Sequence, residues 1–256
     1  MKMKIKIYIT TYNNDSVLRK NIDLIKSSDA INYDYSIYVI NNYSKLENFD
    51  DVIVLDNILR PDFSCGHLSR SWNQSIINGF KDLENPDCDL LILMQNDVFV
   101  KADAFSKIID YMSIYDFLQV GAGDQLMVFN ANAIKRIGIF DERFCSIAFQ
   151  EADYFLSAVI LHSQKVSIND LLHRRFHNKI SSTLIENDFS LNKNSYEVSD
   201  VFGYHDYNYR LFLKKWNMLP ENWSIIDVKK PQIERYMFYP YFEKKILTLN
   251  EQNYFL

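Results

Sequence analysis

Apolar residues fall along the first half of the chain in two alternating rhythms. Ile5–Ile9 is a short run rich in β-branched residues and reads as a strand. Leu18, Ile22 and Ile25 then recur at helical spacing, and Asn14 or Asp15 can cap that helix, which the pattern places over about 16–27. Tyr35–Ile40 and Val52–Leu55 give two more strands. Leu68, Trp72, Ile76 and Phe80 return every four residues and predict a helix that stops before Pro86. Leu90–Met94 is apolar without a break, as in a strand covered on both faces, and a helix follows over about 102–113. Strands alternating with helices predict an α/β fold around an open, mainly parallel sheet.

The second half is less regular. Leu126–Phe129 reads as a strand, Asn132–Ile137 as a short helix ended by Gly138, and Glu151–Leu161 as a helix, with 165–177 extended. From about 178 the chain is rich in Asn, Ser, Tyr and Asp, and shows no period until a helix near 206–216. Pro220, Pro231 and Pro240 break the tail into short pieces. Nothing resembling a repeat or a long linker divides the chain. It is read as a core over 1–177 with 178–256 packed on it as a lobe.

Composition narrows the class. A chain of 256 residues fits one large domain, and 48% hydrophobic with 24% charged residues excludes a disordered or collagen-like chain. The net charge of −5 leaves no broad cationic surface, which counts against general nucleic-acid binding. Cys65, Cys88 and Cys145 are odd in number and lack CxxC spacing, which argues against a disulfide framework or a cysteine zinc site and for a reducing compartment. No apolar run approaches the roughly 20 residues needed to cross a bilayer. The start, MKMKIKIYITTYNN, lacks the apolar stretch and cleavage site of a signal peptide, so a cytoplasmic protein is expected.

Polar residues gather where three strands end: Thr10-Thr11-Tyr12-Asn13-Asn14, Asn41-Asn42-Tyr43-Ser44 and Gln95-Asn96-Asp97. In an open α/β sheet ligands bind beyond the carboxyl ends of the strands, where parallel strands would bring all three clusters together. Each cluster also suits an ordinary turn. Neither a GxGxxG nor a GxxxxGK loop occurs, which counts against nicotinamide dehydrogenases and P-loop enzymes. A carboxylate at the end of a buried strand must be paired, solvated or bound to a cation. Asp97 and the amide oxygen of Gln95 offer hard ligands to Mg²⁺ or Mn²⁺, and Asp97 equally suits a turn cap. Glu151 and Asp153 stand two apart at a predicted helix start, where the dipole favours the ionised form.

Taken in order, YITTYNN (8–14), VINNYS (39–44), SRSWNQSI (69–76), LILMQNDV (91–98), GIFDERF (138–144), QEAD (150–153) and YRLFLKKWN (209–217) resemble the family 2 glycosyltransferases of the GT-A fold. The similarity is to the bacterial and viral rhamnosyltransferase-like members. It implies a Rossmann-like, mostly parallel central sheet flanked by helices, with an irregular C-terminal lobe on the acceptor side. It also implies a donor site for a UDP-, GDP- or dTDP-linked sugar, built from Thr10, Tyr12, Asn14, Asn41, Asn73, Gln95 and Asn96. Asn41 stands where the family usually has a base-reading acid, and Gln95 where its metal motif usually has a first acid. Asp97 and Gln95, with His177 (or His173), are the implied ligands of Mn²⁺ or Mg²⁺, and Arg174-Arg175 can meet the diphosphate. Glu151 takes the position of the catalytic base and Asp153 that of a supporting acid. The implied reaction transfers sugar to a carbohydrate hydroxyl with inversion. The neutral residues at 41 and 95 also suit a non-catalytic sugar-nucleotide binder, and a nucleotidyltransferase shares the same sheet and metal chemistry.

Overall fold

The structure, a computed structural model, describes residues 2–12, 14–42, 45–46, 49–57, 67–121, 123–145, 149–158, 184–188 and 203–216. Strand β1 (Lys4–Thr11) lies at the centre of a six-stranded sheet. It pairs in parallel with β2 (Asp34–Asn42) and with β4 (Leu90–Gln95), and β2 pairs in parallel with β3 (Val52–Asn57). On the other side β4 meets β7 (Leu126–Phe129) antiparallel, and β7 meets β6 (Phe117–Val120) antiparallel, giving the order β3-β2-β1-β4-β7-β6. In this sheet only β7 runs against the others. The α/β architecture with a mostly parallel sheet is therefore present.

The unbroken apolar run of β4 is explained by its two neighbours. Leu91 and Leu93 join one core with Trp72, Ile76 and Phe80 of α2 (His67–Phe80), while Leu90, Ile92 and Met94 join a second core with α1 (Asp15–Ser27) and α3 (Ala104–Met112). Each fully buried Leu or Ile contributes about 1.5–3 kcal/mol, so these two layers carry most of the fold. Helix α2 seats closely because position 79 is glycine: a Cβ there would stand 2.5 Å from Cδ1 of Leu91. Asn14 precedes α1 without a side-chain cap bond, and Asp15 pairs with Arg19 instead, so neither residue caps the helix as expected. Gly138 ends α4 (Ala131–Ile137) at φ 97°, as its position predicted.

Three strands were not anticipated. Strand β6 has four buried residues and so no alternation to read, and β5 (Val98–Val100) and β8 (Ile185–Asn187) have three each. The last two pair antiparallel and bring a piece of the C-terminal stretch against the end of β4. Helix α5 (Gln150–Leu156) and helix α6 (Tyr204–Trp216) complete the described elements. None of the described helices is long and apolar enough to cross a membrane. The extended segment expected over 165–177, with His173, Arg174, Arg175 and His177, lies outside the described residues, as does Cys65.

Candidate active site

The carboxyl ends of β1, β2 and β4 meet as predicted, because Thr10 lies in register with Gln95, and Thr11 with Asn41. Asn96 donates to the Thr11 hydroxyl at 3.0 Å, which ties the β1 and β4 ends together. Asn21, fully buried in α1, holds the same turn by donating to the carbonyls of Gln95 and Asn96. Asn41 donates to Oδ1 of Asp56 across the β2–β3 pair at 2.7 Å, so an acid lies beside that position although not on it. Asn42 accepts from Asn57 and donates to Ser71 of α2. Tyr12 and Asn14 continue from the β1 end, Tyr12 half-buried beside Thr11.

Asn73 serves the scaffold. Its amide donates to the carbonyl of Phe140 and to Glu142, and its oxygen accepts from the Phe140 amide at 2.8 Å, all with no exposed surface. Asp97 is likewise enclosed: its carbonyl accepts from the amide of Asp188 and from Asn187. Among the described residues no three His, Cys, Asp or Glu side chains converge as a metal cluster.

The side chains that do converge include one the sequence did not single out. Asp124, in the turn between β6 and β7, is buried and accepts three hydrogen bonds, from Trp72 Nε1 (3.1 Å), Gln95 Nε2 (2.6 Å) and Gln150 Nε2 (3.4 Å). All three donors are neutral. Trp72 carries the apolar face of α2 and looked like core; its indole N–H also reaches this carboxylate. The turn was invisible because β6 was, and the sequence around Asp124 reads as any polar connection. Glu151 sits above the same turn, its Oε1 3.7 Å from where a Cβ on Gly123 would stand. Its Oε2 is buried and makes no hydrogen bond.

Burial, with the charge of Asp124 as a second cause, pushes the Glu151 carboxyl up to about 8. Burial also raises Asp124, against the pull of its donors from Trp72, Gln150 and Gln95. The helix start was expected to favour ionised Glu151. Burial beside a second carboxyl outweighs one short helix's dipole, and the preference is reversed. The residue just before α5, Phe149, holds φ 71°, a left-handed conformation uncommon for an aromatic residue, and packs its ring near His205, Tyr209 and Phe212 of α6.

Asp153 faces a different partner. Lys215 of α6 bridges Asp153 (2.8 Å) and Asp141 (2.7 Å), and Arg143 forks onto Asp141. Lys215 itself is buried between the two acids. Phe212 packs inward, and Asn208 clamps Cys145 through both its N–H and its carbonyl.

No protein-family model matches the chain, and no curated protein matches it. Solved structures similar to it include the mannosyltransferase PcManGT from Pyrobaculum calidifontis in complex with GDP-Man and Mn²⁺, 9% identical over 65% of this chain and 54% of that one, with a TM-score of 0.47. S. aureus TarS in complex with UDP-GlcNAc is 10% identical over 64% of this chain and 56% of its own, with a TM-score of 0.47. GalNAc-T7 with UDP, GalNAc and Mn²⁺ is 12% identical over 64% and 41%, with a TM-score of 0.49. The chain thus matches between 41% and 56% of the length of these three proteins. At this depth the likeness carries no chemistry across.

Proposed function

We propose that the chain is a nucleotide-sugar glycosyltransferase that inverts the anomeric centre, with Glu151 as general base. The observation that carries this reading is the Glu151 carboxyl itself. It is enclosed at the carboxyl edge of a mostly parallel sheet, has a buried oxygen without a partner, and binds its proton more tightly than a free glutamate. Such a group suits proton abstraction near neutral pH. The acceptor hydroxyl attacks the anomeric carbon as the bond to the diphosphate breaks. The diphosphate leaves with the electron pair, and the hydroxyl proton passes to Glu151. One displacement from the far side inverts the centre and needs no covalent enzyme intermediate.

The oxygens gathered here suit a hard divalent cation, Mg²⁺ or Mn²⁺, which when bound would offset the charge of the leaving diphosphate. Gln95 and Asp97 at the end of β4 are its proposed ligands, with His177 completing the set. Thr10, Tyr12, Asn14, Asn41 and Asn96 are proposed to hold the donor, and the 178–256 stretch to form the acceptor side, with the protein working in the cytoplasm. Asp153 supports the base at one remove, since its bond to Lys215 fixes α5 against α6.

The test is a panel of UDP-, GDP- and dTDP-sugars offered with carbohydrate acceptors, with free nucleotide and product stereochemistry as readouts. Transfer with inversion that is lost in Glu151→Gln supports the reading. Retention of configuration, or full turnover by Glu151→Gln, rejects it. A binder without turnover is a second reading, favoured by the Gln95 amide already resting on Asp124. It predicts donor binding with no nucleotide released.

A further inference from the structure

Three consecutive side chains leave the start of α5 in different directions. The Phe149 ring goes to α6, where His205, Tyr209 and Phe212 share one helix face, with ring centroids 5.2, 5.8 and 5.6 Å away. Gln150 donates to Asp124. Glu151 lies over Gly123, so closely that a Cβ there would stand 3.7 Å from its Oε1. The backbone turn that permits this arrangement is at Phe149, whose φ of 71° suits glycine or asparagine far better than an aromatic residue. The Phe149 carbonyl also accepts from the Asp153 amide at 2.9 Å, closing the first turn of the helix that carries Glu151. A phenylalanine in such a conformation must be held by its surroundings. Here the surroundings are α6, which is itself fixed to Cys145 by Asn208 and to Asp141 and Asp153 by Lys215.

We infer that Phe149 is a positioning residue for Glu151. The aromatic face of α6 holds the ring, the ring holds the left-handed turn, and the turn sets the carboxyl over Gly123 and beside Asp124. The inference rests on the glycosyltransferase reading for its consequence in rate, since α6 would then aim the base, but the placement stands on these contacts alone. Of the charged groups on the surrounding elements, Asp124 of the β6–β7 turn bears on Glu151. Asp153 of α5 is paired with Lys215 of α6, and His205 of α6 meets the Phe149 ring.

The experiment follows the Glu151 carboxyl of the full chain by ¹³C NMR across pH, its signal assigned by its loss in Glu151→Gln. In wild type it should titrate at about 8. Phe149→Leu keeps apolar bulk without a ring. If α5 then lifts from the β6–β7 turn, Glu151 gains water and moves away from Asp124, and its titration should fall toward the ordinary glutamate value of about 4.3. Phe149→Tyr keeps the ring and should restore the wild-type titration. Tyr209→Leu, made on α6, should shift Glu151 the same way by less. With a sugar donor, Phe149→Leu should lower kcat on the order of 10²-fold with little change in donor KM. A ring that only packs α6 against the core would lower the unfolding midpoint and leave Glu151 titrating as in wild type. That result in Phe149→Leu, or in Tyr209→Leu should the former be insoluble, overturns the inference, and with transfer retained it keeps the glycosyltransferase. A shifted Glu151 in a protein whose wild type transfers sugar from no donor does the reverse.

Discussion

Helix α5 contributes one carboxyl to each of two buried pairs, and the pairs differ in counter-charge. Asp153, with Asp141, meets Lys215 and Arg143. Among the described residues, Glu151 with Asp124 meets only the neutral donors that Asp124 gathers. The electrostatic outcome follows. Burial works against ionised Asp141, but Lys215 and Arg143 outweigh it and hold its carboxyl well below the ordinary range. Lys215, though buried, is kept charged by the two acids. Glu151 goes the other way, up to about 8, pushed by burial and by the charge of Asp124. Two acids two residues apart in sequence therefore stand in different settings: one fastens α6 to the core, and the other holds its proton more tightly than a free glutamate. Both are acids in the first turn of one helix; the difference lies in what the tertiary structure brings.

The largest effect should separate those roles directly. Glu151→Gln should lower turnover by about 10²–10⁴-fold while leaving donor affinity and unfolding midpoint nearly unchanged. Asp153→Asn should instead lower the unfolding midpoint, with turnover per folded molecule largely kept. Steady-state rates and denaturant curves on the same preparations check both. A stable but inactive Asp153→Asn, together with an active Glu151→Gln, would reverse the assignment.

Next in size is Lys215→Met, which keeps the apolar stem and leaves Asp153 buried without its cation. Breaking a buried pair from one side typically costs about 3–5 kcal/mol. Urea unfolding at neutral pH should show a loss of that order. A loss below about 1 kcal/mol would make the contact an ordinary surface-like pair.

The pH dependence of that loss sharpens the comparison. A carboxyl whose folded pKa is depressed adds stability above its unfolded value, about 3.9 for Asp, and loses it as pH falls toward the folded value. Wild type should therefore lose stability below about pH 4 more steeply than Lys215→Met, and the gap between them should narrow from pH 6 to pH 3. Denaturant midpoints at those two pH values measure it. A gap that stays constant would show that Asp141 and Asp153 gain nothing from Lys215.

Much of this fold could be read in the sequence, and the site only in part. Leu126–Phe129 matched its strand, and the four-residue rhythm of Leu68, Trp72, Ile76 and Phe80 matched α2, because both elements bury a face with a definite period. The places of Glu151 at a helix start and of Gln95 at a strand end were legible. Asp124 was not. It reaches the site through a connection between two short antiparallel strands, and a four-residue buried strand has no period to announce it. The partner of Asp153 was equally hidden, since Lys215 lies 62 residues away on another helix. Charge compensation over such separations is decided by packing, which local pattern does not encode.

The smallest expected effect is the one most able to break the comparison. In chelator at pH 7, Asp124→Asn should change unfolding free energy by no more than about 1 kcal/mol, or raise it. Its donors are neutral, so removing the negative charge strands no cation, unlike the change at Lys215. An asparagine oxygen still accepts from Trp72, and one glutamine amide need only turn to meet the new N–H₂, at about the value of one hydrogen bond, 0.5–1.5 kcal/mol. Burial already disfavours the ionised carboxyl, so its loss returns part of that cost. Paired urea titrations of Asp124→Asn and Lys215→Met in the same buffer make the measurement. If Asp124→Asn were as damaging as Lys215→Met, Asp124 would be a structural anchor like Asp141. The neutral pair would then lose its claim to be kept for chemistry rather than for the fold.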